Sequence, residues 1–109
     1  MNVLKTDEFI ADLERQFEWY VTNANWKVAD RYLDAVEATC RIIGQHHFLG
    51  LDGGFSHPRL REWRFFLVSR PFNKHILFYE VLTVEVVLRR AMHGHLDLPR
   101  RLLEAPGMG

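Results

Sequence analysis

The sequence predicts an α+β domain in which a helical hairpin packs on a small, twisted antiparallel sheet. Three observations predict it. Apolar residues recur every three or four positions through the first half of the chain, the pattern of amphipathic helices. The second half turns to runs of β-branched and aromatic residues separated by turn signals, the pattern of strands. The chain has 109 residues, 48% of them apolar and 26% charged, the size and composition of one compact domain.

Each element has its own local reason. Asn2–Lys5 forms a short opening strand. Asp7 and Glu8 follow Thr6 as an acidic helix start, which suits the positive end of the helix dipole. Phe9, Leu13, Phe17 and Tyr20 then line one face. The run Thr22-Asn23-Ala24-Asn25 breaks that helix, and Asn25 is placed to cap the next one. Trp26, Ala29, Leu33, Val36, Cys40 and Ile43 alternate spacings of three and four, and Gly44 is suited to closing the helix in the left-handed conformation. So short a linker makes the two helices an antiparallel hairpin.

Residues 45–59 hold four glycines or prolines and three histidines and read as a loop. In LREWRFFLV (60–68), Trp63, Phe65 and Leu67 alternate with Glu62 and Arg64 before both faces turn apolar. Arg70-Pro71-Phe72-Asn73 is a turn. HILFYEV (75–81) and VEVVLRRAM (84–92) form a hairpin across Leu82-Thr83. Neither linking residue readily takes the positive φ that two-residue loops prefer, so a longer link is expected. Asp97 and Pro99 open a short final helix ending near Glu104. The order is β-α-α-β-β-β with a C-terminal helix, over a domain of residues 1–104 and a tail of residues 105–109.

Charge and cysteine content narrow the function classes. Residues 1–50 carry eight acidic against five basic side chains, and residues 51–109 nine basic against six acidic, so the chain is neutral overall. Neutrality disfavours a protein whose main task is gripping nucleic-acid backbone, because that affinity comes from released counterions. Eight of the nine bases in the second half are arginines, whose fixed fork suits carboxylate and phosphate alike. The single cysteine, Cys40, has no internal partner. No apolar run approaches the roughly 20 residues that span a bilayer, and the acidic start lacks a secretory h-region, so a cytoplasmic location is expected.

Several residue sets could carry chemistry. Arg89, Arg90 and His93 close the last strand, with Arg89 and His93 on one face and Arg90 on the other. They either contact a target or form a solvated rim. His46-His47 and His93-x-His95 lack a cysteine or carboxylate at ligand spacing, so no metal is expected. Gly53-Gly54 lacks the lysine and helix of a phosphate loop, and Ser56 and Ser69 have no acid–base partners in the sequence, so no cofactor is expected.

The chain resembles the RelE/ParE superfamily of bacterial toxins, and within it the ParE branch of plasmid stabilisation proteins. The resemblance runs from about residue 3 to residue 104. It is carried by Ala11-Asp12-Leu13 followed by Phe17, Trp19 and Tyr20, by the 60–68 strand, by Arg70-Pro71-Phe72 and HILFYEV, and by Val87-Leu88-Arg89-Arg90-Ala91-Met92-His93-Gly94 running into Asp97-Leu98-Pro99. The superfamily has the same β-α-α-β-β-β order.

The resemblance implies the toxin of a type II toxin–antitoxin pair, silenced by a ParD-like antitoxin lying across the helical hairpin and the sheet. RelE-like members cut messenger RNA on the ribosome, whereas ParE-like members poison DNA gyrase without being nucleases. Cleaving RNA requires activating a 2′-hydroxyl, stabilising a pentavalent phosphate and protonating the leaving oxygen. Here the loop before the 60–68 strand offers His57 and Arg59 but no lysine, the next strand offers Ile76 and Phe78, and no tyrosine follows Tyr79. That favours the gyrase branch and a protein that is not itself an enzyme. The alternatives are an endoribonuclease of the RelE type or a degenerate toxin serving only as a binding module. On this reading Arg89, Arg90, His93, Arg100 and Arg101 meet the target, while Phe17, Trp19, Tyr20 and Trp26 meet the antitoxin.

Overall fold

A computed structural model describes residues 1–94 and 97–107. His95 of the His93-x-His95 pair, and Met108 and Gly109 of the tail, lie outside the described residues. The chain runs β1 (Asn2–Lys5), α1 (Asp7–Asn23), α2 (Trp26–Gln45), β2 (Leu51–Asp52), β3 (Arg64–Leu67), β4 (His75–Val81), β5 (Glu85–His93) and α3 (Leu98–Leu103).

Both long helices begin where expected, α1 at its acidic start and α2 after its Asn25 cap. The Thr6 side chain accepts a hydrogen bond from the Phe9 amide, and Asn25 accepts one from Val28. Each satisfies a donor that the first helical turn leaves unpaired. The far end of α2 departs from expectation. Gly44 has no left-handed backbone; the helix runs on to Gln45 and is closed by the His46 amide on the Ile42 carbonyl. Its missing side chain serves packing instead, because a Cβ there would lie 2.6 Å from Val3 Cγ2. Trp26 also leaves the expected stripe. It is 61% exposed at the hairpin turn, and Tyr32 takes up the core position on α2.

The five strands form one sheet in the order β1-β5-β4-β3-β2. Its centre is antiparallel, as expected. β1, however, joins the edge in parallel with β5, and the two-residue β2 adds a strand inside the 45–59 loop. The 60–68 strand shrinks to residues 64–67. Leu60 and Trp63 are both buried, and a strand would send side chains three residues apart to opposite faces. Residues 57–63 instead coil through turns, with Leu60 N–H bonded to His57 O and Trp63 N–H to Leu60 O. The β4–β5 link spans Leu82, Thr83 and Val84 and is closed by the Leu82 amide on Glu85 O.

The sheet has a core on each face, which explains why the first five residues of β4 are all buried. Tyr79, Leu77, Val86 and Leu88 meet Phe9, Tyr32, Val36, Cys40 and Ile43 beneath the helices. Ile76, Phe78 and Met92 point the other way, under Leu60, Trp63 and Leu102. No helix among the described residues is long and apolar enough to cross a membrane.

Gly50 shows how tightly the loop before β2 is held. Its amide donates to Tyr79 Oη at 3.0 Å, its carbonyl accepts from Arg64 at 2.8 Å, and Tyr79 Oη in turn donates to His47 O. A Cβ at this position would sit 2.2 Å from Tyr79 Oη and 2.8 Å from the Phe65 carbonyl. Gly50→Ala is therefore expected to cost about 1–3 kcal/mol as overpacking, read as a lower urea midpoint. An unchanged midpoint would mean that the loop moves aside freely.

Candidate functional site: a cleft between the first helix and the end of the last strand

One face of α1 carries Asp12, Arg15, Gln16 and Trp19, spaced by three and four so that all four stand together. That face overlies the second half of β5, beyond the point where β1 stops pairing with it. The edge of β5 is satisfied there by side chains. Thr6 Oγ1 donates to Arg89 O at 3.0 Å, and Asp12 Oδ2 accepts from the Ala91 amide at 2.9 Å. Between helix and strand lies a cleft of about 220 Å³, lined by that α1 face together with Arg90, Met92, His93 and Arg101.

The floor of the cleft is an ion pair formed by residues 78 positions apart. Arg90 Nε and Nη2 reach the two Asp12 oxygens at 2.7 and 3.0 Å, and both side chains are over 90% buried. Nη1 of Arg90 also donates to the carbonyls of Arg101, Leu102 and Glu104, at 3.2, 3.2 and 2.5 Å. The last carbonyls of a helix have no partner within it, and here one guanidinium satisfies them. Arg90 thus fastens α1, β5 and α3 together. Its burial removes it from the surface expected to meet a target.

The register of β5 explains this placement. Phe78 pairs with Arg90 but Tyr79 pairs with Leu88, so Arg89 is an extra residue, a β-bulge. The bulge shifts the alternation expected from sequence. His93 comes to the helix side, its ring 4.7 Å from that of His75, while Arg89 turns to Glu80, which also accepts from the Trp63 indole. Arg89 and His93 therefore do not share a face.

His75 is buried behind His93. Its Nε2 lies 2.8 Å from Tyr20 Oη, and its ring contacts Tyr20, Tyr32 and Phe72. Burial first, and His93 second, pull the His75 pKa down to about 4. Tyr20, expected on an antitoxin surface, is half-buried and commits its hydroxyl to this interior network. Burial likewise pushes the Cys40 thiol up to about 12, leaving it protonated inside the core.

Residues 3–95 match the family model of the ParE toxin of the type II toxin–antitoxin system parDE. The chain belongs to the ParE toxin family. Its fold is similar to that of a chain in the structure of a chromosomal ParDE toxin–antitoxin system from P. aeruginosa, with a TM-score of 0.72. Sequence identity is 17%, over 87% of this chain and 97% of the other. Among curated proteins no significant match is found.

The remaining expected contact residues of this ParE toxin fall in separate places. Trp19, 55% exposed, joins His93 and Arg101 at the cleft, where Arg101 lies 3.2 Å from His93 O and 3.6 Å from Met92 Sδ. Arg100 points elsewhere and pairs within its own helix region with Glu104 at 2.6 Å and Asp97 at 3.6 Å. Phe17 lies in a second, apolar groove of about 410 Å³ along the helical hairpin, with Ile10, Leu13 and Leu33 and the carboxylates of Glu14 and Glu18. Among the described residues no three His, Cys, Asp or Glu side chains converge as metal ligands would. The sequence reading missed Asp12 and Arg15. Asp12 carries no local signal, since its partner is remote in sequence. The spacing of Asp12, Arg15, Gln16 and Trp19 was the available signal for Arg15.

Proposed function

We propose that this ParE-family toxin acts by poisoning DNA gyrase and is held silent by a ParD-like protein antitoxin. The observation that carries this reading is the state of the sheet arginines. Arg89 is neutralised by Glu80 and Arg90 by Asp12, next to the apolar layer of Ile76, Phe78 and Trp63. An RNA-cleaving site needs cations and a proton donor left available to a phosphate. The sheet offers carboxylate-paired guanidinium groups instead, and Tyr79 spends its hydroxyl on Gly50 and His47. The antitoxin is assigned the hairpin, which exposes Trp19 and Trp26 and carries the apolar groove that holds Phe17. The target is assigned the opposite charge character, at Arg89, His93, Arg100 and Arg101.

Expressed alone, the toxin is expected to arrest growth and induce the DNA-damage response, and co-expression of the antitoxin encoded beside it should restore growth. Purified toxin added to gyrase and supercoiled plasmid should yield cleaved plasmid. Codon-positioned cuts in messenger RNA with plasmid left intact would overturn the gyrase reading in favour of a RelE-type endoribonuclease. Unimpaired growth with abundant folded protein would identify a degenerate toxin that only binds.

A further inference from the structure

The two edges of the sheet are not protected alike. On one side β2 has only two residues, and Asp52 puts a charge there, its Oδ1 folded onto the Gly54 amide at 2.8 Å. On the other side the later part of β5 is taken up by the Thr6 and Asp12 side chains. Short strands, charges and covering groups are the usual guards of a sheet edge. β1 lacks such a guard. It runs over four residues, and its one charge is withdrawn, because the Lys5 ammonium bonds to Glu37 on α2.

The hydrogen-bond pattern fixes which backbone groups of β1 are open. The Thr6 amide bonds to Leu88 O, and in a parallel ladder alternate residues face the same neighbour. Asn2 and Leu4 therefore spend their amides and carbonyls on β5. Val3 and Lys5 turn theirs outward, where no strand among the described residues meets them.

The symmetry of this edge selects its partner. A second copy laid antiparallel about a two-fold axis at Leu4 sets Val3 opposite the copy's Lys5, and Lys5 opposite its Val3. These are the outward-facing residues, so each outward amide meets a carbonyl. Leu4 then faces its own counterpart as the non-hydrogen-bonded pair, in which side chains stand closest. Val3 packs into the core beneath the helices, so Leu4 lies on the other face of the sheet, where it is 47% exposed. Charge agrees with this register. Each Lys5 meets a valine directly, and the two ammonium groups, diagonal neighbours about 7–8 Å apart, each bring a Glu37 carboxylate.

We infer that β1 is a self-association edge, at which two copies of this toxin join antiparallel about Leu4 into one continuous sheet. The inference does not rest on the gyrase or antitoxin readings, since it uses neither surface. The contact is a single short strand, so the dimer is of the weak, concentration-dependent class.

The test is sedimentation of the purified full chain as its concentration rises. Wild type is expected to pass from monomer toward dimer. Leu4→Asp sets like charges opposite one another at the axis and should raise the dissociation constant about tenfold or more. A thermal melt confirms that this variant folds. Leu4→Cys reads the register directly. Its Cα atoms would stand about 4.5 Å apart across the axis, within the span of a disulfide, so mild oxidation should yield covalent dimer. Asn2→Cys, which falls opposite Thr6 of the copy, should stay monomeric under the same treatment. Cys40 is buried and does not compete. A wild type that remains monomeric at every concentration would overturn the inference. So would undiminished association of folded Leu4→Asp, or equal cross-linking of the two cysteine variants. If wild type is monomeric and Leu4→Asp weakens antitoxin binding, the edge belongs to the antitoxin instead.

Discussion

Arg90→Ala is expected to destabilise the domain by about 3–5 kcal/mol, the cost of removing one partner from a buried ion pair. Asp12 would keep its charge in a site that is over 90% buried, and the carbonyls of Arg101, Leu102 and Glu104 would lose their common donor. For a domain of this size, each kcal/mol shifts the melting temperature by about 4 °C or more, so the fall should exceed 10 °C. Arg90→Lys should recover little of it. An ammonium group cannot span both carboxylate oxygens and three carbonyls as the planar fork does. Asp12→Ala with Arg90→Ala should cost less than the sum of the single changes, because neither charge is then stranded. The pair would still be less stable than wild type, since the α3 carbonyls remain unsatisfied. Urea titrations on the four variants check all of this. A melting temperature for Arg90→Ala within 2 °C of wild type would show that the pair is solvated and that α3 is held by its leucines alone.

Acidification should weaken the fold through His75, by about 3 kcal/mol when complete. The imidazole has a pKa of about 4 in the folded chain, against 6.5 for the ordinary group. Between those values the unfolded chain binds a proton that the folded chain does not, so stability falls as pH drops from 6.5 toward 4 and is fully retained above 6.5. The cause is desolvation among Tyr20, Tyr32 and Phe72, with His93 adding repulsion from the neighbouring strand. His75→Gln keeps a polar group beside Tyr20 Oη but cannot titrate. Its urea midpoint should decline less steeply than that of wild type from pH 6.5 to 4.5, even if it starts lower at pH 7. Parallel declines for the two proteins would place the acid sensitivity in the carboxylates instead.

Local pattern alone determined much of this protein. The two long helices start at Thr6 and Asn25 because those side chains cap the first turn, a contact made within three residues. β4 occupies residues 75–81 as expected, since an unbroken run of apolar and aromatic residues of that length suits a strand covered on both faces. The ordered motifs along residues 3–95 were sufficient to place the chain in its family. What only the tertiary structure decided depends on residues far apart in sequence. The parallel pairing of β1 and the bulge at Arg89 are properties of register, and a one-residue shift in register reverses which face every later side chain occupies. That shift is why His93 meets His75 and Arg89 meets Glu80. Leu60 and Trp63 coil because a second core under α3 takes both side chains, a demand that period-two alternation does not contain. The same holds for the site. Periodicity could put Arg15 and Trp19 on one helical face, but only the packing of α1 over the free edge of β5 buries Asp12 against Arg90 and opens the cleft beside them.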